Sequence, residues 1–239
     1  MMLKGEELMI KDNIDFVKNK VEKACLRASR NAEDVLLLAV TKTHQTSIVN
    51  EALANGITAF GENKVQEIEL KMPEIERAGK AFHFIGHLQS NKINKLLRLK
   101  PDLIHSIDKY STAEKIDIAL QKMESIQDVL IEVNTSGEKS KNGVNPGKLN
   151  KLVEQIANLK HIRIKGLMTI GSLTENEEEV RRCFRELRSL FLAIKEQNIN
   201  NIEMKYLSMG MSGDFEIAIE EGSNIVRVGS LIFGQRIYT

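Results

Sequence analysis

The sequence has almost no excess of charge: 34 Lys and Arg stand against 33 Asp and Glu, a formal net charge of +1. No global field therefore recruits nucleic acid or an anionic membrane, and a small, neutral partner is the better expectation. Cysteine is scarce. Cys25 and Cys183 are far apart in charged, helix-like contexts, which excludes a disulfide framework, marks both thiols as inert and suits a reducing, cytoplasmic setting. There are only three prolines and no Ser/Gly-rich linker, so nothing divides the chain into two domains. No apolar run is long enough to span a bilayer, and the first thirty residues lack the apolar core of a signal peptide. The sequence also lacks a Gly-rich dinucleotide fingerprint after its first apolar run, where Thr41-Lys42-Thr43-His44 stands instead.

What is present is alternation. With 239 residues and 42% hydrophobic content, one sizeable core is affordable, and residues 1–239 read as a single α/β domain. Eight short β-type runs recur: VLLLAV (35–40), TAF (58–60), FHFI (82–85), LIHSI (103–107), VLIEV (129–133), IKGLMTI (164–170), MKYLS (204–208) and NIVRVG (224–229). Helix-like stretches with apolar residues three and four apart lie between them, such as STAEKIDIALQKMESI and NEEEVRRCFRELRSLFLAIKEQ. The runs are apolar on both faces, as parallel strands covered by helices require. The pattern predicts a TIM-type (β/α)8 barrel preceded by an extra N-terminal helix over about residues 5–30. An open doubly wound sheet is the alternative, and it would want the missing fingerprint.

In such a barrel the chemistry sits at the C-terminal ends of the strands. Lys42 ends the first strand, Gly61-Glu62-Asn63 follows the second, Met209 to Gly213 follow the seventh and Gly229-Ser230 the eighth. Ser212 stands where an N-cap would precede a helix starting near Asp214, so its loop offers backbone N–H groups to an anion; an ordinary capped helix is the plain alternative. Gly229 and Ser230 supply a second half-site where barrels commonly hold phosphate. In Ile225-Val226-Arg227-Val228-Gly229 the two valines share one face, which points Arg227 into the barrel. An unpartnered charge there is costly. Its partner is either Glu132 in an ion pair or, by preference, an acceptor on a ligand. Closure sets Lys42 beside Arg227, which favours the free, nucleophilic amine. A lysine, a phosphate site and an arginine aimed at a ring acceptor together describe pyridoxal 5′-phosphate (PLP) held as a Schiff base.

Other signals are weaker. Asn63 either contacts a ligand or caps the following helix. His44, His83 and His105 match no metal spacing, so no metal site is expected. SGEKSKNG (136–143) reads as a mobile, solvated loop over the rim, and HLQSNK (87–92) as a loop entering a helix.

AVTKTH, FGENKVQE, HFIGHLQSNK, IEVNTSGEKSKNG, IKGLMTIG, LSMGMSGDFEIAI and VRVGSLIFGQR, in this order, resemble the successive motifs of the pyridoxal phosphate homeostasis proteins, the YggS/PROSC family. The resemblance implies a fold-type III barrel like the N-terminal domain of alanine racemase. It implies Lys42 as the Schiff-base lysine, Arg227 facing the pyridine nitrogen, Ser212, Gly229 and Ser230 around the phosphate, and Asn63 nearby. It implies a protein that buffers or delivers PLP, with apo-enzymes as partners, and with no catalytic residues to name; a monomer is expected. Lys64, His87 and Ser230 depart from the common pattern, where an aromatic, a proline and a threonine are usual. Ser230 keeps the hydroxyl. The alternative is a PLP-dependent racemase. Against it, the sequence ends at Thr239, which leaves no room for the second domain that carries a racemase's opposite acid/base group, and an arginine at the pyridine nitrogen weakens the ring as an electron sink. A metal-dependent barrel hydrolase would need the histidine cluster already set aside.

Overall fold

Apolar alternation and helical periodicity resolve into a regular order in the computed structural model, which describes residues 9–234. Helix α1 (Ile10–Arg27) leads into β1 (Leu36–Val40), then α2 (Thr46–Ala54), β2 (Ala59–Glu62), α3 (Val65–Lys71) and β3 (Ala81–Phe84). Next come α4 (Ile93–Arg98), β4 (Leu103–Ile107), α5 (Tyr110–Lys122), β5 (Gln127–Glu132), α6 (Leu149–Ala157) and β6 (Ile162–Met168). The last units are α7 (Glu177–Glu196), β7 (Ile202–Met211), α8 (Phe215–Glu220), β8 (Ile225–Val228) and α9 (Ser230–Phe233). The strands form a closed parallel barrel in sequence order, sealed by β1 against β8 with Leu38 opposite Arg227. The predicted TIM-type barrel is the one observed.

Side-chain alternation divides two apolar cores. Leu38, Ala59, Leu103, Leu130, Met168 and Ile225 fill the barrel interior. Val226, Val228 and their equivalents face outward and pack beneath the helices. The leading helix buries Ile14, Val17, Val21, Ala24 and Cys25, a stripe at three and four spacing, and packs across α8 and α9. Asn13 Nδ2 donates to the Ile232 carbonyl at 3.0 Å, so α1 covers the side of the barrel where first and last strands meet. Within the described residues it runs from Ile10 and stops short of residue 30. Ser29 adopts a left-handed φ of 52° just past its end, and residues 5–8 of the predicted helix lie outside the described residues.

Strand limits moved where backbone packing overrides composition. The seventh strand runs on from Ser208 to Met211, because Gly210, at φ 92°, lets the backbone pass against α8: a Cβ there would lie 2.5 Å from that of Ala218. The eighth is shorter than expected at both ends. Asn176 caps α7 through the N–H groups of Glu178 and Glu179, and the three glutamates of its first turn suit the positive end of the helix dipole. Six-residue α8 is held by ion pairs from two sides: Lys20 and Arg27 of α1 reach Glu216 at 2.6 and 3.1 Å, and Arg181 of α7 reaches Glu220 at 2.6 Å. Both cysteines are buried and free. Among the described residues, no helix is long and apolar enough to cross a membrane.

Candidate functional site

At the C-terminal rim, β1, β7 and β8 open around a cavity of about 260 Å3 whose lining includes Lys42, Ser212, Gly213, Arg227, Gly229 and Ser230. Five of the six residues singled out in the sequence therefore meet at one place. The sixth, Asn63, stands on the neighbouring β2 rim and is not part of the lining. It does not cap α3, whose N-cap position is Lys64. Its backbone is pressed against Gly86 so closely that a Cβ on Gly86 would fall 2.0 Å from the Asn63 carbonyl oxygen. A larger, open depression of about 790 Å3 lies at the opposite end of the barrel, between α1 and the strand N-termini. That end of a parallel barrel carries stability, and convergent polar groups mark the smaller cavity as the site.

Lys42 lies two residues beyond β1, in a turn in which Thr43 takes φ 70°, and not at the strand end itself. Ser212 is not an N-cap. That position before α8 belongs to Asp214, whose carboxylate accepts the Met211 N–H, and Ser212 sits two residues earlier in the loop. There its hydroxyl accepts the Gly229 N–H at 3.3 Å, tying the loops after β7 and β8 together. Gly229 in turn crowds β1, since a Cβ would lie 3.3 Å from the Val40 carbonyl.

Arg227 points into the barrel, as alternation predicts, and is 5% exposed. It makes no ion pair with Glu132. Nη1 donates to Ser208 Oγ at 2.7 Å and Nη2 to the Thr169 carbonyl at 2.8 Å. Burial lowers its pKa to about 10, against the raising fields of Asp214 and Glu132, so the guanidinium stays charged at neutral pH. Glu132 is equally buried. Desolvation, with help from Asp108, lifts its pKa to about 7, while Arg227 pulls the other way.

Ser208 continues inward. His105 Nδ1 lies 3.1 Å from its hydroxyl, and His105 Nε2 is 3.0 Å from His83 Nδ1. Burial holds the His83 imidazole near pKa 4, and burial together with His83 and Arg227 holds His105 well below its ordinary value. Two of the three rim histidines thus meet inside the barrel, while His44 packs its ring on Phe233, 4.7 Å between centroids. Among the described residues no group of three or more His, Cys, Asp or Glu is placed to hold a metal ion. The His83–His105–Ser208–Arg227 line was not foreseen. The signal available was polar residues at inward positions of β3, β4 and β7.

The loop read as mobile is tied down. Asn134 accepts the Gly137 N–H and donates to the Glu138 and Lys141 carbonyls, and Lys141 Nζ donates to the Gly171 carbonyl at 2.8 Å. Val133 and Val144 close its base as a β-bridge.

The fit of these groups to PLP can be judged from donors alone. An amine, two hydroxyls with glycine-flanked backbone and a buried charged donor match an aldehyde, a phosphate and a ring acceptor. The volume is below the ~300–1,000 Å3 of clefts for drug-sized ligands, which suits a single ring.

Residues 11–237 match the family model of the alanine racemase N-terminal domain. The pyridoxal phosphate homeostasis protein of Aquifex aeolicus is 42% identical over 227 residues, covering 95% of this chain and 98% of its own length. Among solved structures, one described as an unknown protein from Bifidobacterium adolescentis superposes with a TM-score of 0.90 at 38% identity, over 94% of each chain. PipY of Synechococcus elongatus PCC7942, solved with PLP bound, gives a TM-score of 0.78 at 31% identity, covering 90% of this chain and all of PipY.

Proposed function

The chain belongs to the pyridoxal phosphate homeostasis proteins, built on the alanine racemase N-terminal barrel, and from that premise we propose that it binds PLP on Lys42 and buffers or delivers it without enzymatic turnover. The observation that carries this reading is the convergence of Lys42, Ser212, Arg227, Gly229 and Ser230 on one cavity from opposite ends of the chain. PLP, when bound, would supply an aldehyde carbon open to attack by a lysine amine with loss of water. Lys42 provides that amine. Ser212 and Ser230 offer hydroxyls, and Gly213 and Gly229 offer close backbone approach, to the phosphate. Arg227 would meet the pyridine nitrogen with the donors not used by Ser208 and Thr169. Asn63 serves as a neighbouring rim contact.

A guanidinium that stays protonated leaves the pyridine nitrogen without a proton, which weakens the ring as an electron sink. That favours holding over turnover. The proposed partners beyond PLP are apo-enzymes that receive it from a monomeric, cytosolic protein; the two buried free thiols suit a reducing compartment. The test is borohydride reduction of PLP-loaded protein followed by peptide mass analysis, with amino-acid racemisation and decarboxylation assayed on the unreduced sample. A pyridoxyl group on Lys42 and no turnover are expected. Label on another lysine overturns the site, and a rate near the enzyme median of about 10 per second overturns the class.

A further inference from the structure

The turn that carries Lys42 is gripped on both sides by charged side chains from the next β/α unit. Thr41 Oγ1 donates to Glu62 Oε1 at 2.8 Å, and the Thr41 carbonyl accepts Lys71 Nζ at 3.0 Å. On the other side, the Thr43 N–H donates to Glu67 Oε1. Lys71 Nζ joins the two halves, bonding Glu62 Oε1 at 2.9 Å and also Glu67 Oε1. Glu62 ends β2 and is wholly buried, while Glu67 and Lys71 lie one turn apart on α3.

This is an expensive arrangement for an ordinary surface turn. Thr43 is β-branched and holds φ 70°, a strained backbone state that persists only where the surroundings enforce it. Glu62 Oε2 is buried with no hydrogen-bond partner among the described residues, a further cost. Three charged groups are thus spent on fixing the peptide planes before and after one residue, and that residue is Lys42.

We propose that Lys71, Glu67 and Glu62 are positioning residues for Lys42, clamping the backbone on either side of it so that its amine is presented to the rim cavity in one direction. The proposal rests on the reading of Lys42 as the PLP-bearing lysine. None of the three lines the cavity, and the contacts that grip the turn are made to Thr41 and Thr43. The clamp lowers the conformational freedom that the amine would otherwise lose when the covalent bond forms, and misplacement of a reacting group by about 1 Å is enough to cost up to a hundredfold.

Two measurements separate the clamp from a merely structural role. The first uses cofactor-free protein: hydrogen exchange of the Thr43 amide, read by NMR, should speed up by about tenfold or more in Glu67→Ala, whereas Glu67→Gln, which keeps an acceptor, should hold the protection. The second compares covalent capture of PLP with binding of pyridoxine 5′-phosphate, which has no aldehyde. Lys71→Met and Glu67→Ala should slow capture roughly ten- to a hundredfold, and pyridoxine 5′-phosphate affinity should stay within about twofold of wild type. Unchanged Thr43 exchange in Glu67→Ala overturns the clamp. So does a loss of capture matched by an equal loss of pyridoxine 5′-phosphate affinity. Failure of wild-type protein to form any adduct at Lys42 defeats the site reading instead, and the exchange result then still decides whether the turn is clamped.

Discussion

Arg227 Nη1 donates to Ser208 Oγ at 2.7 Å, and this one contact fixes the protons on two histidines deeper in the barrel. Arginine has no acceptor, so the serine hydrogen must go elsewhere, and His105 Nδ1 is the other partner of that hydroxyl among the described residues. His105 is then protonated on Nε2 and donates to His83 Nδ1, which leaves His83 protonated on Nε2 as well. The whole line is polarised away from Arg227.

The tautomers are therefore a prediction. Nitrogen-15 shifts should show both imidazoles neutral and Nε2-protonated at pH 7. Ser208→Ala should leave Arg227 and His105 each short of a buried partner, at a cost of about 1–3 kcal/mol, and should let the His105 tautomers mix. An unaltered His105 spectrum in Ser208→Ala would show that the serine does not set the order.

Lys42→Ala should abolish covalent attachment of PLP and keep part of the affinity, because the other proposed ligand groups, Ser212, Arg227, Gly229 and Ser230, line the same cavity and are left in place. Native mass measurement after gel filtration reads both quantities. A mutant that still yields a borohydride-stable pyridoxyl adduct would move the attachment to another lysine.

Stability against pH should expose Glu132. Its folded pKa of about 7 lies above the ordinary 4.5, so its contribution is present below pH 4.5 and is lost as pH rises through 7. His83, lowered from 6.5 to about 4, and His105, shifted the same way, contribute in the opposite sense, with stability present above pH 6.5 and lost on acidification. The two slopes oppose each other over most of the same range. Glu132→Gln should add roughly 2–4 kcal/mol above pH 7, should add nothing near pH 4.5, and should make the protein more acid-sensitive between those limits. Thermal melts across pH 4.5–8 check this, and a gain independent of pH would show that Glu132 titrates normally.

Gly86→Ala should be disruptive despite its small volume change. The added methyl would meet the Asn63 carbonyl oxygen at 2.0 Å, backbone against side chain, with no flexible group to give way. A loss of about 1–3 kcal/mol is expected, together with weaker PLP retention as the β2 rim shifts. A melting temperature equal to wild type would mean that the β2 and β3 loops are not locked together here.

How far the sequence could be read depended on range. Period-two alternation placed Arg227 inside because Val226 and Val228 sit beside it in the chain, and the outer and inner cores divide those residues as expected. That Lys42 and Ser230 fall just past the first and last strands was legible for the same reason, although Lys42 lies two residues beyond β1 and not at its end. The Ser212 cap failed because Asp214, equally suited, stands two residues nearer the helix, and composition does not rank two capping residues so close together. The polar line was beyond reach because His105 and Ser208 are 103 residues apart, and only closure of the barrel makes them partners. In the Lys42 clamp, Glu67 and Lys71 were visible as an i,i+4 pair, but nothing local indicated that the pair reaches back to the turn after β1.

The seam between β1 and β8 has a consequence for the order in which this protein comes into being. Leu38 and Arg227 are register partners, yet they lie far apart in the order of synthesis. Contacts of such long separation are the slowest to form and reward the chain only after the rest is organised. A ribosome-bound chain lacking β8 would have Lys42 but neither Arg227 nor the part of the cavity lining that Gly229 and Ser230 supply. Capture of PLP would then be a late event in biogenesis, and a ligand held across the seam would act as a bolt on the last joint to close.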